Sequence, residues 1–155
     1  MRLLKKSSGI SLKGNIGRII DANLNRSQEG LRVCEEVVRF ALDQSQLTAE
    51  LKALRHRINS LSARFYAPSQ LLGMRQADRD VGKSNARGEL GRKNLQDIFF
   101  ANIQRAKEAL RVLEECNKLL SPKAALSFKA LRYKVYALEK KAFKRISALS
   151  DFRRA

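Results

Sequence analysis

With 155 residues, 44% of them hydrophobic and 30% charged, the chain can bury one real core, and no Pro/Gly/Ser-rich linker divides it, so a single domain over 1–155 is expected. The first residues lack the apolar run of a secretory signal and no stretch is apolar enough to cross a bilayer, which argues against a membrane partner and for a cytoplasmic protein. The net charge of +17 gathers at the ends: residues 1–18 carry five basic residues and no acid (+5), and residues 123–155 carry ten against Glu139 and Asp151 (+8).

In chain order, a first helix is expected from Asn15-Ile16-Gly17, with Ile19, Ile20, Leu31, Cys34, Val37, Val38 and Ala41 recurring at helical spacing as far as Asp43. Thr48 is placed to cap a second helix whose Leu51, Leu54, Ile58, Leu61 and Phe65 form a stripe ending before Pro68. Residues 73–93 are polar, contain Gly73, Gly82, Gly88 and Gly91, and read as a long loop, of a length that is usually functional or disordered. A third helix should begin near Asn94 and turn Ile98, Phe99, Ala106, Ala109, Leu110, Leu113, Cys116 and Leu120 inward. Ser121-Pro122 pairs a capping residue with proline at the first helical position and opens a fourth helix through Phe128, Leu131, Val135 and Leu138 toward Ser150. With no convincing strand, the expected class is all-α: two antiparallel αα-hairpins packed as a four-helix, bundle-like domain about a pseudo-two-fold axis.

The chain also contains its own partial copy. Ala22–Glu36 returns 79 positions later as Ala101–Glu115, and Leu51–Leu61 returns at an offset of 77 as Phe128–Leu138. The repeats span 18–66 and 97–145, with basic ends at 1–18 and 139–155 outside their shared blocks. Two copies are too few for a solenoid, so each is expected to bury the other's apolar face in one closed domain.

At about 100° per residue, the first helix centres its stripe on Asn23, Cys34 and Ala41, with Ser27 and Gly30 beside them and Arg26 about 60° from Asn23. The third helix repeats this with Asn102 and Arg105, while Arg55 and Arg132 lie about 40° from Leu51 and Phe128 on the second segments. Each half is therefore expected to aim one asparagine and two arginines inward. A buried guanidinium needs a counter-charge, which leaves two readings open. Either Glu29, Glu108 or Asp21 pairs with the arginines inside the fold, or the arginines grip a phosphate while the asparagines orient a polar ring or hydroxyl. Arg32 and Arg111 belong to the outer face, beside Glu29 and Glu36 and beside Glu108 and Glu115.

The loop adds Arg75, Asp78, Arg79, Asp80, Lys83, Glu89 and Arg92. Carboxylates among arginines suit a magnesium–phosphate site, with Asp80 on the metal and Arg75 or Lys83 on phosphate oxygens. Gly82-Lys83-Ser84 resembles the end of a phosphate-binding loop, but Ala77 stands where its first glycine belongs and no strand precedes it. Gly9, Gly14 and Gly17 read as a flexible lead into the first helix, and His56, matched by Tyr133, reads as a packed or singly hydrogen-bonded ring. Cys34 and Cys116 fall on apolar faces and are expected to be packed free thiols.

The run Ile19-Ile-Asp-Ala-Asn-Leu-Asn-Arg26, Glu29-Gly-Leu-Arg-Val33 and Glu35-Glu36, followed by Leu51-Lys52, Leu54-Arg-His56, Asp80-Val-Gly82 and the Ala101–Glu115 block, resembles a known family. It is similar, from about Arg18 to Leu138, to the helical domain often fused ahead of thiamin-phosphate synthase in bacteria, an alternative hydroxymethylpyrimidine-phosphate kinase; here it would stand alone. The resemblance implies phosphoryl transfer from ATP, with Mg2+, to hydroxymethylpyrimidine phosphate in thiamin biosynthesis, and a small-molecule phosphate and thiamin-phosphate synthase as partners. For that reaction the residues above offer Arg26, Arg55, Arg105 and Arg132 to neutralise phosphates, Asn23 and Asn102 to orient substrate, and Asp80 with Arg75 as the catalytic and metal-binding pair. A non-catalytic pyrimidine-phosphate or nucleotide-binding module is the next reading. A basic RNA- or DNA-binding protein ranks last, because the phenylalanines fall at core spacing instead of forming a stacking surface. Oligomeric state is left open, a homodimer included.

Overall fold

In a computed structural model, residues 10–84 and 90–148 are described; residues 1–9 and 149–155 of the basic ends and 85–89 of the expected loop lie outside them. Among the described residues there is no strand. Four long helices carry the architecture: α1 (Gly14–Phe40), α2 (Ser45–Phe65), α4 (Leu95–Lys118) and α5 (Pro122–Ala148), with a short α3 (Pro68–Met74) and a 3-10 turn (Ala77–Arg79) between the halves. The all-α expectation holds. None of these helices is long and apolar enough to cross a membrane.

Local chemistry accounts for most boundaries. Asn94 caps α4 by accepting the Asp97 backbone N–H at 2.8 Å, and Ser121 Oγ accepts from Ala124 N at 3.3 Å ahead of Pro122. Thr48 does not cap α2: the helix starts three residues earlier, and the Thr48 hydroxyl donates back to Gln44 O at 2.7 Å. Asp43, with φ of 50°, makes the left-handed turn that reverses the chain into α2. Gly14 and Gly17 belong to α1 and are no flexible lead; Gly17 lies against Met74 and lets α3 pack on α1. Helix α3 was not expected, and its last two residues fall in the expected loop, because seven residues with no buried position show no apolar period.

Helices α1 and α4, one from each half, share the most extensive contact among the described helices, with α2 against α1 and α5 against α4. They run antiparallel, since Gly30 meets Asn102 and Ala106 while Cys34 Sγ, one turn further along, donates to Phe99 O. Gly30 sets the separation: a Cβ there would lie 2.7 Å from the Asn102 carbonyl oxygen. Around this pair Ile20, Leu31, Val38, Leu51, Ile58, Phe99, Ile103, Leu110, Leu113, Phe128 and Val135 form one buried core. Ile19, expected inside, is 43% exposed at the edge of the stripe.

Candidate functional site

The inward polar residues divide into two groups. On α1, Asn23, Ser27, Gly30 and Cys34 are buried as the helical wheel requires. The Asn23 amide donates to Ile19 O at 2.8 Å, and Asn102 repeats this bond to Ile98 O at 2.8 Å. Both asparagines are thus tied to their own helices through one side of the amide.

The arginines of the second segments meet carboxylates. Arg55 Nε donates to Glu35 Oε2 at 3.0 Å, and Arg132 donates to Glu114 Oε2 through Nε at 3.1 Å and Nη2 at 2.8 Å. Glu35 and Glu114 are equivalents in the repeat, as are Arg55 and Arg132, so duplication preserved an ion pair linking each first helix to the next. In the second half Arg132 Nη1 also reaches the Tyr136 hydroxyl at 3.0 Å, and the Glu114 bond followed by that contact raises the Arg132 guanidinium above its ordinary range. The partners differ from those expected: Glu29 and Glu108 are exposed, and Asp21 is engaged elsewhere. The sequence signal was present, because Glu35 and Glu114 share the offset of 79, but neither was singled out, each standing beside an outward glutamate.

Arg26 and Arg105 do not face the core. Both are exposed, and among the described residues no carboxylate lies within ion-pair distance of either. A position 60° off the stripe centre lets a long side chain carry its charge out to water. On the outer face, Arg32 pairs with Glu36 at 2.7 Å and Arg111 with Glu115 at 2.8 Å, as expected. His56 is exposed and not packed, and its counterpart Tyr133 is also exposed, edge-on to Tyr136 with ring centroids 5.7 Å apart. Cys34 and Cys116 are free thiols; burial raises the pKa of both, that of Cys34 the more strongly.

Asp21, expected as a counter-charge for the inward arginines, pairs with Arg75 instead. It is buried, and Arg75 grips it with both prongs, Nε to Oδ2 at 2.8 Å and Nη2 to Oδ1 at 2.9 Å. The hydrogen bond to Asp21 is the main cause of a raised Arg75 pKa, with Glu29 adding a smaller attraction. Position 21 corresponds to Phe100 in the second copy, so this pair exists in one half only. Asp80 stands apart from it: exposed, it accepts the Gly82 backbone N–H at 2.9 Å, a turn bond within its own segment. Asp78, Arg79, Lys83 and Arg92 are exposed as well, and Glu89 lies outside the described residues. Among the described residues no three His, Cys, Asp or Glu side chains gather closely enough to hold a metal. Magnesium nevertheless needs only one or two carboxylates when substrate phosphates and water complete its shell. Asp80 Oδ2 could provide one of these, so the residues present fit phosphate-bound Mg2+ and not a preformed cage.

Cavities of about 340, 260 and 470 Å³ line up along the groove between α2 and α5. None is lined by the residues singled out above.

Comparison with known proteins fits this framework. Residues 18–141, covering the first repeat, the segment after it and nearly all of the second repeat, match the ThiD2 family. The chain belongs to the ThiD2 family. Relatives of this ThiD2-family chain include the thiamine-phosphate synthase of Thermosynechococcus vestitus, 43% identical over 123 residues that make up 79% of this chain and 34% of the relative. The thiamine-phosphate synthase of a Synechocystis strain is 43% identical over 125 residues, 80% of this chain and 35% of its own. That of Rhodopirellula baltica is 39% identical over 121 residues, 77% and 32% respectively. The chain thus spans about a third of the length of these relatives. No solved structure matches it.

Proposed function

We propose that this chain acts in thiamin biosynthesis, transferring a phosphoryl group from ATP to hydroxymethylpyrimidine phosphate. The observation that carries the reading is the family match over 18–141 together with relatives named thiamine-phosphate synthase. A helical domain joined to such a synthase would supply it with pyrimidine pyrophosphate. Thiamine-phosphate synthase is the macromolecular partner proposed.

Phosphoryl transfer depends on positioning and charge neutralisation more than on covalent chemistry, so solvent-facing cations are the parts to assign. Arg26 and Arg105 are exposed and take the phosphate role. Arg55 and Arg132, already bound to Glu35 and Glu114, hold α1 to α2 and α4 to α5 and so position the helices. Asn23 and Asn102 keep their amide oxygens for substrate, their N–H groups being committed to Ile19 and Ile98. Magnesium would neutralise the nucleotide's phosphates when bound, with Asp80 as its carboxylate ligand. Arg75 can reach a phosphate only by leaving Asp21.

A second reading, a module that binds a pyrimidine phosphate without reacting it, is favoured by one observation: three of the seven arginines in the expected set and loop, Arg55, Arg75 and Arg132, are held by carboxylates in the fold. Purified protein incubated with Mg-ATP and hydroxymethylpyrimidine phosphate separates the two. Formation of pyrimidine pyrophosphate supports the kinase; saturable pyrimidine-phosphate binding with no product supports the module and sinks the kinase.

A further inference from the structure

Two of the three cavities between α2 and α5 are copies of one another. The first, of about 340 Å³, is lined by Arg57, Ser60, Leu61 and Arg64 of α2 and Ser127, Ala130, Leu131 and Lys134 of α5. Adding the repeat offset of 77 to the four α2 positions, and subtracting it from the four α5 positions, yields the eight residues that line the second cavity. Arg57 and Lys134 are equivalents and line both. Both leucines are matched by leucines and Ala130 by Ala53, while Ser60 is matched by Ala137, so the two walls differ at the positions where the first carries a serine or arginine and at the shared Arg57–Lys134 exchange.

That difference is informative. In the second cavity Glu50 lies 2.8 Å from Lys141 Nζ, so the fold supplies its own anion there. In the first cavity the equivalent of Lys141 is Arg64, and the equivalent of Glu50 is Ser127. The carboxylate is gone while the cation remains, and Arg57, Arg64 and Lys134 line the space with no acidic residue among the lining. Like charges sharing a helix seam disfavour folding, so packing alone does not explain them. Ser127 Oγ and Ser60 Oγ donate to carbonyls of their own helix, Lys123 O at 2.8 Å and His56 O at 3.1 Å. Recognition therefore falls to the two guanidinium forks and the lysine, a set suited to phosphate oxygens. Leu61, Leu131 and Ala130 offer an apolar wall beside them.

We infer that the first cavity binds the phosphate or pyrophosphate group of a small organic molecule, seated where its twin holds the Glu50 carboxylate. The inference stands on the duplicated cavity and not on the kinase reading. Its volume falls within the range of about 300–1,000 Å³ typical of small-molecule sites.

Calorimetric titration of the full chain with inorganic pyrophosphate, at about 0.15 M salt to suppress diffuse attraction, tests it. One pyrophosphate per chain is expected, weakened about tenfold or more by Arg64→Gln and abolished by Ser127→Glu, which restores the internal carboxylate. Glu50→Ser should convert the twin and raise the stoichiometry to two. Arg64 is exposed and Ser127 and Glu50 are half-buried, so circular dichroism verifies the fold of each variant. No binding by the unaltered chain, or binding left unchanged by Ser127→Glu, overturns the assignment.

Discussion

Arg132 and Glu114 are joined by two hydrogen bonds at side-chain exposures of 9% and 7%, whereas their counterparts Arg55 and Glu35 are joined by one, with Arg55 21% exposed. The two halves inherited the same ion pair and buried it to different depths. Removing one partner of a buried pair strands the other charge, at a cost of about 3–5 kcal/mol. Glu114→Gln should therefore approach that range in chemical denaturation, and Glu35→Gln should cost less because water can reach Arg55. Equal costs would show that depth of burial does not govern the pair.

Gly30 is a packing position. Alanine would gain about 1 kcal/mol in helix propensity, but its Cβ would meet backbone, which cannot turn aside as a side chain can. Overpacking of this kind costs about 1–3 kcal/mol, so Gly30→Ala should lower the melting temperature. An unchanged or raised value would mean that α1 and α4 separate freely.

The buried Tyr66 hydroxyl donates to Asn117 Oδ1 at 2.5 Å, and burial outweighs that bond in pushing its pKa from 10.0 up to about 12. The folded value lies above the unfolded one, so folding favours the protonated phenol. Its contribution is fully present below pH 10 and declines as pH rises toward 12. Tyr66→Phe should lose about 1–3 kcal/mol at neutral pH, because Asn117 is left without its donor, and should lose less additional stability than the parent between pH 10 and 12. Parallel pH–stability curves would contradict this.

Arg75 ties the segment after α3 to α1 through Asp21. Arg75→Ala should speed amide hydrogen exchange across residues 68–79 while leaving the core of α4 protected. Lysine should restore little, since it cannot supply two parallel bonds. Full protection in the alanine variant would show that α3 stays docked by apolar contact alone.

Arg26→Ala and Arg105→Ala remove exposed side chains, so stability should change by no more than about 0.5 kcal/mol. Under the proposed function, binding of hydroxymethylpyrimidine phosphate should nonetheless fall sharply in both. Unaffected binding would remove these residues from the site.

The fold was legible where local chemistry and periodicity agreed: the Asn94 and Ser121-Pro122 caps, the apolar stripes, and the buried Asn23. It was less legible where the decisive partner is distant. A helical wheel shows that Arg26 and Arg55 border the apolar stripe, but only the neighbouring helix decides that Arg55 meets Glu35 while Arg26 reaches water. The true partner of Asp21 was hidden for a related reason: Arg75 lies 54 positions away, and the second copy has no equivalent of the pair. The matched cavities needed the fold as well, because the repeat names equivalent positions without saying which helices face each other.

The central contact joins α1 to α4, which belong to different halves, and this has a consequence for severed chains. Neither hairpin alone can cover the face that the other covers, so a peptide ending near residue 84 and one beginning near residue 90 should each be largely unfolded. Mixed together, they should reassemble into the native bundle by fragment complementation, because the cut lies between the repeats and outside their packed helices.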